Sequence, residues 1–213
     1  MEQRQVLIGM RHTNMRFIGI TGGVGAGKSA ILDYLAGKPK VRVMLADDIA
    51  HELMKPDTEC YNKLRELFDS SVFNADGQIN NIRMAEAIFN DSSLRDKLNA
   101  IVHPAVKEYV IKQYRIEKES GCLEWLILEA ALLIEEHYDE ICDELWYIYT
   151  SEENRRLRLK ESRGYSDEKI DNIFASQLSE AEYRSACQKC IDNNGTVEHT
   201  YMQIEEIIKS YKE

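Results

Sequence analysis

The stretch GITGGVGAGKSAIL, residues 19–32, decides the fold of this chain. It contains the pattern G-x-x-x-x-G-K-S, whose glycines allow backbone N–H groups to turn inward around a phosphate. The start of the following helix adds positive potential, Lys28 reaches the outer phosphates, and Ser29 is placed to bind Mg²⁺. A glycine-rich turn that binds nothing is the alternative. The residues expected to bind the nucleotide are Gly22, Gly23, Val24, Gly25, Ala26, Gly27, Lys28, Ser29 and Ala30.

The segments on either side of this loop predict a parallel α/β fold. MRFIGIT at 15–21 is a short apolar run that ends at glycines, which is typical of a buried strand. A helix is expected over 28–37, followed by a second strand over 40–47 that ends on Asp47. Further apolar runs predict a strand and the start of a helix within 123–136, and strands near 144–151 and 188–195. We therefore expect an α/β fold with a central parallel sheet of about five strands flanked by helices.

The pattern of the chain also predicts its division into domains. Residues 48–122 contain several amphipathic segments and are expected to form an inserted helical lobe that holds the acceptor substrate. Residues 15–47 and 123–213 are expected to form the nucleotide-binding core, with a charged helical lid at about 151–166. Residues 1–14 are expected to be a poorly ordered extension.

The composition narrows the class of protein. The 213 residues have a formal net charge of −10, which argues against broad binding to nucleic acid or to an anionic membrane. No apolar run approaches the roughly 18 residues that a membrane span needs. We expect a cytoplasmic protein, a monomer or weak homo-oligomer, whose partner is a small-molecule substrate.

The five cysteines are dispersed and odd in number, which predicts reduced thiols. Cys187 and Cys190 form a lone C-x-x-C, whereas a zinc site would need two more ligands at a fitting spacing. Redox chemistry would place such a pair between a strand and a helix. Small buried side chains are the preferred interpretation.

Other features of the sequence favour a small-molecule kinase among the proteins that have a phosphate-binding loop. A GTPase would need an N-K-x-D guanine motif, and the nearest string, residues 62–65, lacks the acid. A kinase needs a carboxylate at a neighbouring strand end, a lobe for the acceptor, and arginines that neutralise the moving phosphoryl group. A nucleotide-binding regulatory module would not need the helical lobe.

Candidates for each kinase role are present, and each has a structural alternative. Asp47 ends a predicted strand and should lie at the sheet edge that carries the loop. The alternative is that an acid at this position serves only to begin the next helix. Glu129 could act near the metal or only supply charge to a helix start. The lid has four arginines that could bind phosphate or form a solvated face paired with acids: Arg155, Arg156, Arg158 and Arg163.

These pieces together resemble the dephospho-CoA kinase family, which performs the last step of coenzyme A synthesis. The resemblance extends from Met15 over nearly the whole chain, and the order and spacing of its motifs are specific. The matching segments are FIGITGGVGAGKS (17–29), ADDIAHEL (46–53), DGQI (76–79), AIF (87–89), IVHP (101–104), EAALLIE (129–135), R-L-x-x-x-R (158–163), Gln177 and IDNNG (191–195).

The resemblance implies a function and a set of roles. The reaction would be ATP-dependent phosphorylation of the ribose 3′-hydroxyl of dephospho-CoA to give coenzyme A, with ATP and Mg²⁺ as cofactors. Another small hydroxyl or nucleoside-phosphate acceptor is the alternative. The resemblance implies that Lys28, Asp47 and Arg158 are catalytic and that Asn193 lies near the adenine. It implies that Asp47, Arg83 and His103 bind the substrate and that Ser29 binds the metal. The sequence pattern places His103 at a helix start.

The chain departs from the family pattern at several positions. Ala30 replaces a common threonine, and Leu45 replaces the first acid of a common D-A-D. Asn81 stands where an arginine is common, with Arg83 nearby, and the second lid arginine is offset to Arg163. These departures leave the set of Lys28, Ser29, Asp47 and Arg158 intact.

Overall fold

One parallel sheet organises the computed structural model, which describes residues 15–211. Within these residues the sheet has five strands in the order β2-β3-β1-β4-β5, and every neighbouring pair is parallel. The prediction of a parallel sheet of about five strands is confirmed, whereas the expectation for residues 1–14 lies outside the described residues. The strands are β1 (Arg16–Thr21), β2 (Val41–Leu45), β3 (Trp125–Glu129), β4 (Glu144–Tyr149) and β5 (Lys189–Asp192).

Helices flank the sheet and supply the second layer of each core. In the described part of the chain the helices are α1 (Lys28–Ala36), α2 (Ala46–Leu53), α3 (Glu59–Leu67), α4 (Asn81–Asn90), α5 (Ser92–Ser120), α6 (Glu152–Arg163), α7 (Asp167–Ala175), α8 (Glu180–Ala186) and α9 (Val197–Ser210). No helix among residues 15–211 is both long and apolar enough to cross a membrane.

The central strands are buried on both faces, which explains their continuous apolar sequence. On one face Phe17 and Leu126 join a core with residues of α2, α3 and α5. On the other face Ile18 and Ile127 join a core with residues of α1 and α9. The phosphate-binding loop leaves the sheet directly from the central strand β1, so both cores support it.

Helices α2 to α5 lie between β2 and β3 in the chain, as the helical pattern of residues 48–122 predicts. Side-chain caps fix where several of them begin. Thr58 accepts a hydrogen bond from the Tyr61 N–H, and Asn80 and Asp91 accept from N–H groups of the first turns of α4 and α5. The use of these helices as a substrate lobe stays a prediction.

The position of Asp47 corrects the sequence analysis. Strand β2 ends at Leu45, so Asp47 is not the end of a strand but lies in the first turn of α2. The chain passes from strand to helix without a loop, and the acids Asp47 and Asp48 complement the positive end of the helix dipole. Asp47 still lies at the carboxyl edge of the sheet, because the first turn of α2 follows β2 directly.

Two other expectations about helices are also wrong. His103 and Pro104 lie inside α5 rather than at a helix start. A proline within a helix removes one N–H donor. Burial of Val102 and Val106 stabilises the helix on both sides of Pro104. The residues after Glu129 form turns rather than a helix. His137 has a left-handed φ of 53° there, and a 3₁₀ turn, Tyr138–Glu140, follows it.

The two-sided core predicts how stability depends on β3. Ile127 is 1% exposed at the centre of the sheet, so we expect Ile127→Ala to lower the free energy of unfolding by about 2–5 kcal/mol through lost burial and a cavity. Ile116→Ala, at a side chain that is 46% exposed on α5, is the control and should change it by at most about 0.5 kcal/mol. Urea denaturation measures both, and equal losses would contradict the assignment of the core.

Candidate active site

The phosphate-binding loop, residues 22–27, connects β1 to α1 in a conformation that requires glycine. Gly25 and Gly27 have φ values of 84° and 85°, in the left-handed region. At Gly27 an added Cβ would stand 2.5 Å from the Asn193 side-chain nitrogen. Only glycine therefore allows the loop to turn while other parts of the chain pack closely against it.

The carbonyl oxygen of Ala26 anchors the loop. It accepts hydrogen bonds from the Thr150 hydroxyl at 3.1 Å, from Asn193 Nδ2 at 2.7 Å and from Arg158 Nη1 at 3.3 Å. Arg158 also donates through Nη2 to the Asn193 carbonyl at 2.7 Å. The structure thus places Asn193 as a buried support of the loop, and contact of this residue with adenine stays a prediction.

The loop lysine contacts the loop itself and an acid of the neighbouring strand. Lys28 Nζ donates to the Gly22 carbonyl at 2.6 Å and lies 3.5 Å from Glu129 Oε1. Burial lowers the pKa of the Lys28 ammonium, and the negative charge of Glu129 opposes that shift. Burial raises the pKa of the Glu129 carboxyl, and the charge of Lys28 opposes that shift in turn. Each charge therefore offsets part of the effect of burial on the pKa of the other group.

A cavity of about 680 Å³ opens above the loop. Besides the loop residues and Lys28, it is lined by Ser29, Asp47, Glu129, Arg158 and Arg163. The cavity therefore presents the glycine-rich backbone of the loop, fixed positive charges and oxygen ligands. This combination suits a polyphosphate together with a hard cation.

A second, smaller cavity of about 160 Å³ adjoins the first and is mostly apolar. Val102, Val106 and Tyr138 contribute to its walls, together with His103, whose Nδ1 lies 2.7 Å from Glu136 Oε1. Two residues line both cavities: Asp47 and Ala131. Asp47 therefore lies at the boundary between the cavity above the loop and the apolar cavity.

Comparisons with known proteins agree with this geometry. Residues 16–199 match the model of the dephospho-CoA kinase family. This chain belongs to the dephospho-CoA kinase family. It is 34% identical over 193 residues to the dephospho-CoA kinase of Geobacter sulfurreducens, covering 91% of this chain and 97% of the relative. With the dephospho-CoA kinase of Symbiobacterium thermophilum it is 32% identical over 194 residues, covering 90% and 79%.

Solved structures support the fold that this dephospho-CoA kinase family member adopts. A crystal structure of a Thermus thermophilus protein has a TM-score of 0.73 at 24% identity and covers 92% of this chain and 98% of that one. The dephospho-CoA kinase of Campylobacter jejuni has a TM-score of 0.67 at 20% identity, with the same coverage of both chains.

Some residues singled out in the sequence lie away from the two cavities. Arg83 lies in the first turn of α4 and donates to the Ser71 carbonyl at 3.0 Å. It lines neither cavity, so a substrate role for it stays a prediction. Arg156 forms ion pairs with Asp167 and Asp171 of α7. Among the described residues no cluster of three or more His, Cys, Asp or Glu could hold a metal. Cys187 and Cys190 are free thiols, but Cys187 is only half-buried and Cys190 is exposed, so their interpretation as buried side chains is wrong.

The position of one arginine in this dephospho-CoA kinase family member does not follow from the sequence. Arg155 is not on a solvated face but is buried behind the loop, where its Nε donates to the Val24 carbonyl at 2.9 Å. Its sequence neighbours resemble those of the other lid arginines, so no local pattern separates it from them. The one available signal is helical spacing, since Arg155 and Arg158 lie three residues apart on one face of α6.

The Lys28–Glu129 contact predicts the pH dependence of nucleotide binding. Phosphate binding needs the protonated ammonium, so affinity should fall as the pH rises through the pKa of Lys28. Because the Glu129 carboxylate raises that pKa, Glu129→Gln should move this alkaline loss of ATP affinity to lower pH. The Kd for ATP, measured from about pH 7 to about pH 10, tests this.

The control for this measurement is Glu119→Gln, at an exposed glutamate near the end of α5. It should leave the alkaline loss of affinity where it is in the unmodified protein. An unchanged profile in Glu129→Gln, or one that moves to higher pH, would contradict the coupling between Lys28 and Glu129.

Proposed function

We propose that this chain transfers the γ-phosphate of ATP to the ribose 3′-hydroxyl of dephospho-CoA. Its family membership makes it an enzyme, a kinase of coenzyme A biosynthesis that phosphorylates dephospho-CoA and uses ATP. The choice of hydroxyl, the metal and the role of each residue form the proposed part.

The observation that carries the proposal is the shared position of Asp47. The cavity above the phosphate-binding loop suits the triphosphate, whereas the apolar cavity suits an uncharged part of an acceptor. A hydroxyl that reaches the boundary between them would meet the Asp47 carboxylate and the terminal phosphate together. Asp47 would orient that hydroxyl and accept its proton, and phosphoryl transfer depends mainly on such positioning.

The cations around the loop would then stabilise the transferred group. Lys28 would exchange the Gly22 carbonyl for a phosphate oxygen, and Lys28 already lines the cavity. Arg158 is already held against the loop by two backbone carbonyls, so its charge is preorganised toward the phosphates. Preorganised charge costs no rearrangement during the transfer step.

The oxygen ligands of the cavity fit Mg²⁺. The Ser29 hydroxyl and the carboxylates of Asp47 and Glu129 line the same space, and Mg²⁺ usually takes only one or two protein ligands in addition to phosphate oxygens and water. Ser29 is the residue proposed to hold it. When bound, the ion would neutralise charge that develops on the phosphates.

A coupled ADP assay tests the proposed function. The protein is incubated with ATP, Mg²⁺ and one acceptor at a time: dephospho-CoA, adenosine 5′-phosphate or pantetheine. We expect ADP release that depends on dephospho-CoA and a product phosphorylated at the ribose 3′ position. Release with another acceptor only would indicate a different small-molecule kinase, and release without any acceptor dependence would indicate a regulatory nucleotide-binding module.

The role of Asp47 predicts a specific loss of turnover. Asp47→Asn should lower kcat by about a hundredfold or more, because the amide cannot accept the proton, while the Kd for ATP changes little. Asp48→Asn is a matched control, since Asp48 is exposed in the same turn of α2 but lines neither cavity. Steady-state kinetics and calorimetry provide both values. Near-normal turnover of Asp47→Asn would remove Asp47 from this role.

A further inference from the structure

Arg155 is packed against the back of the phosphate-binding loop. Only 8% of the residue is exposed, and its Nε donates to the Val24 carbonyl at 2.9 Å. Its Nη2 donates to the side-chain oxygen of Gln177, which also accepts the Val24 N–H at 3.3 Å. Both polar backbone groups of Val24 are therefore held by a pair of side chains from outside the loop.

The loop sequence leaves space for this guanidinium. A Cβ added at Gly23 would collide with the guanidinium group of Arg155, and one added at Gly25 would stand 3.1 Å from the Arg155 carbonyl oxygen. On its other side the guanidinium lies over the ring of Phe174, with Cζ 4.2 Å from the ring centroid. The group is thus enclosed between a glycine backbone and an aromatic face, which fixes its position.

The charge of Arg155 lacks an acidic partner within the described part of the chain. No carboxylate of residues 15–211 forms an ion pair with it. Tyr147, Tyr183 and the exposed Glu152 raise the pKa of the guanidinium, but by less than burial lowers it. Burial lowers the pKa of the guanidinium, which reflects the cost of holding this charge away from water. Neighbouring Arg156, in contrast, pairs with two aspartates at the surface. A buried cation without a partner is costly unless some other anion compensates it.

We propose that Arg155 is a positioning residue for nucleotide binding, whose buried charge is compensated by the polyphosphate of the nucleotide. It holds the backbone of residues 23–25 in the shape of the phosphate site and adds positive potential from behind the loop. It does not touch the nucleotide itself. This inference rests on the proposed function to the extent that the ligand is a nucleoside triphosphate.

A neighbouring cavity makes the proposal testable by chemical rescue. A cavity of about 340 Å³ lies between α6, α7 and the start of α8, and Arg155 and Gln177 form part of its wall. Other wall residues, such as Glu152 and Glu180, are exposed, so small solutes can enter from solvent. A guanidinium ion is small enough to reach the space that truncation of Arg155 would leave.

The experiment compares Arg155→Ala with Arg155→Lys and with the control Arg156→Ala. The readouts are the Kd for ATP by calorimetry, the KM for dephospho-CoA, and the unfolding curve in urea. Loss of a charged, forked donor should raise the Kd for ATP about 10- to 100-fold in Arg155→Ala and less in Arg155→Lys, with the KM for dephospho-CoA within about threefold. Arg156→Ala should leave both constants within about threefold of the unmodified protein. Millimolar guanidinium should recover ATP affinity in Arg155→Ala and in no other variant.

A merely structural role for Arg155 would give a different result. Unfolding would occur at a lower urea concentration, but the folded protein would bind ATP as tightly as before and guanidinium would not improve binding; that result overturns the proposal. If Arg155→Ala does not fold, Arg155→Lys and Gln177→Leu decide: unchanged ATP affinity in both overturns it, and weakened affinity in both supports it. If the unmodified protein binds ATP but does not phosphorylate dephospho-CoA, the proposed function fails while the ATP-binding comparison still tests Arg155.

Discussion

The shape of the phosphate-binding loop depends on the hydrogen bonds of one backbone group, the carbonyl of Ala26. A loop that offers its N–H groups to phosphates must find partners for the carbonyls that turn the other way. Three donors from distant parts of the chain meet this need at Ala26: Thr150 after β4, Arg158 of α6 and Asn193 after β5. The loop is therefore held by residues that follow the two strands on one side of β1 and by Arg158 of α6.

The parallel sheet determines what else can reach this loop. Because all the strands of the described sheet run in the same direction, the loop after β1, Glu129 at the end of β3 and the first turn of α2 after β2 meet at one edge. Helix α5 crosses the same region and contributes His103 and two valines to the apolar cavity. Asp47 lies where these two sets of residues join, and it lines both cavities.

The sequence allowed the prediction of features whose cause is local. The glycine loop and the buried strands follow from short patterns, and the structure confirms them. The sequence predicts the wrong element but the right edge for Asp47, since the first turn of α2 directly follows the end of β2. The continuous course of α5 through Pro104 is harder to predict, because a proline is typical of a helix start. Only the packing of the valines on either side of Pro104 shows that the helix continues.

Features that depend on distant contacts could not be predicted in this way. Arg155 differs from its neighbours only because Val24, 131 positions away in the sequence, and Gln177 meet it in the folded chain. Asn193 was expected near the adenine, and the structure adds a role that its local sequence does not indicate, the support of Ala26. Both residues act on the loop from outside, so the phosphate site is built by more of the chain than its motif.

The central claim is that donor and acceptor meet at Asp47, between the two cavities. The most direct test is a crystal structure of the protein with dephospho-CoA and a non-hydrolysable ATP analogue bound together. The account predicts that the ribose 3′-oxygen lies within hydrogen-bond distance of the Asp47 carboxylate and in line with the terminal phosphorus above the loop. A dephospho-CoA molecule whose ribose lies away from Asp47, with another group facing the terminal phosphate, would contradict it.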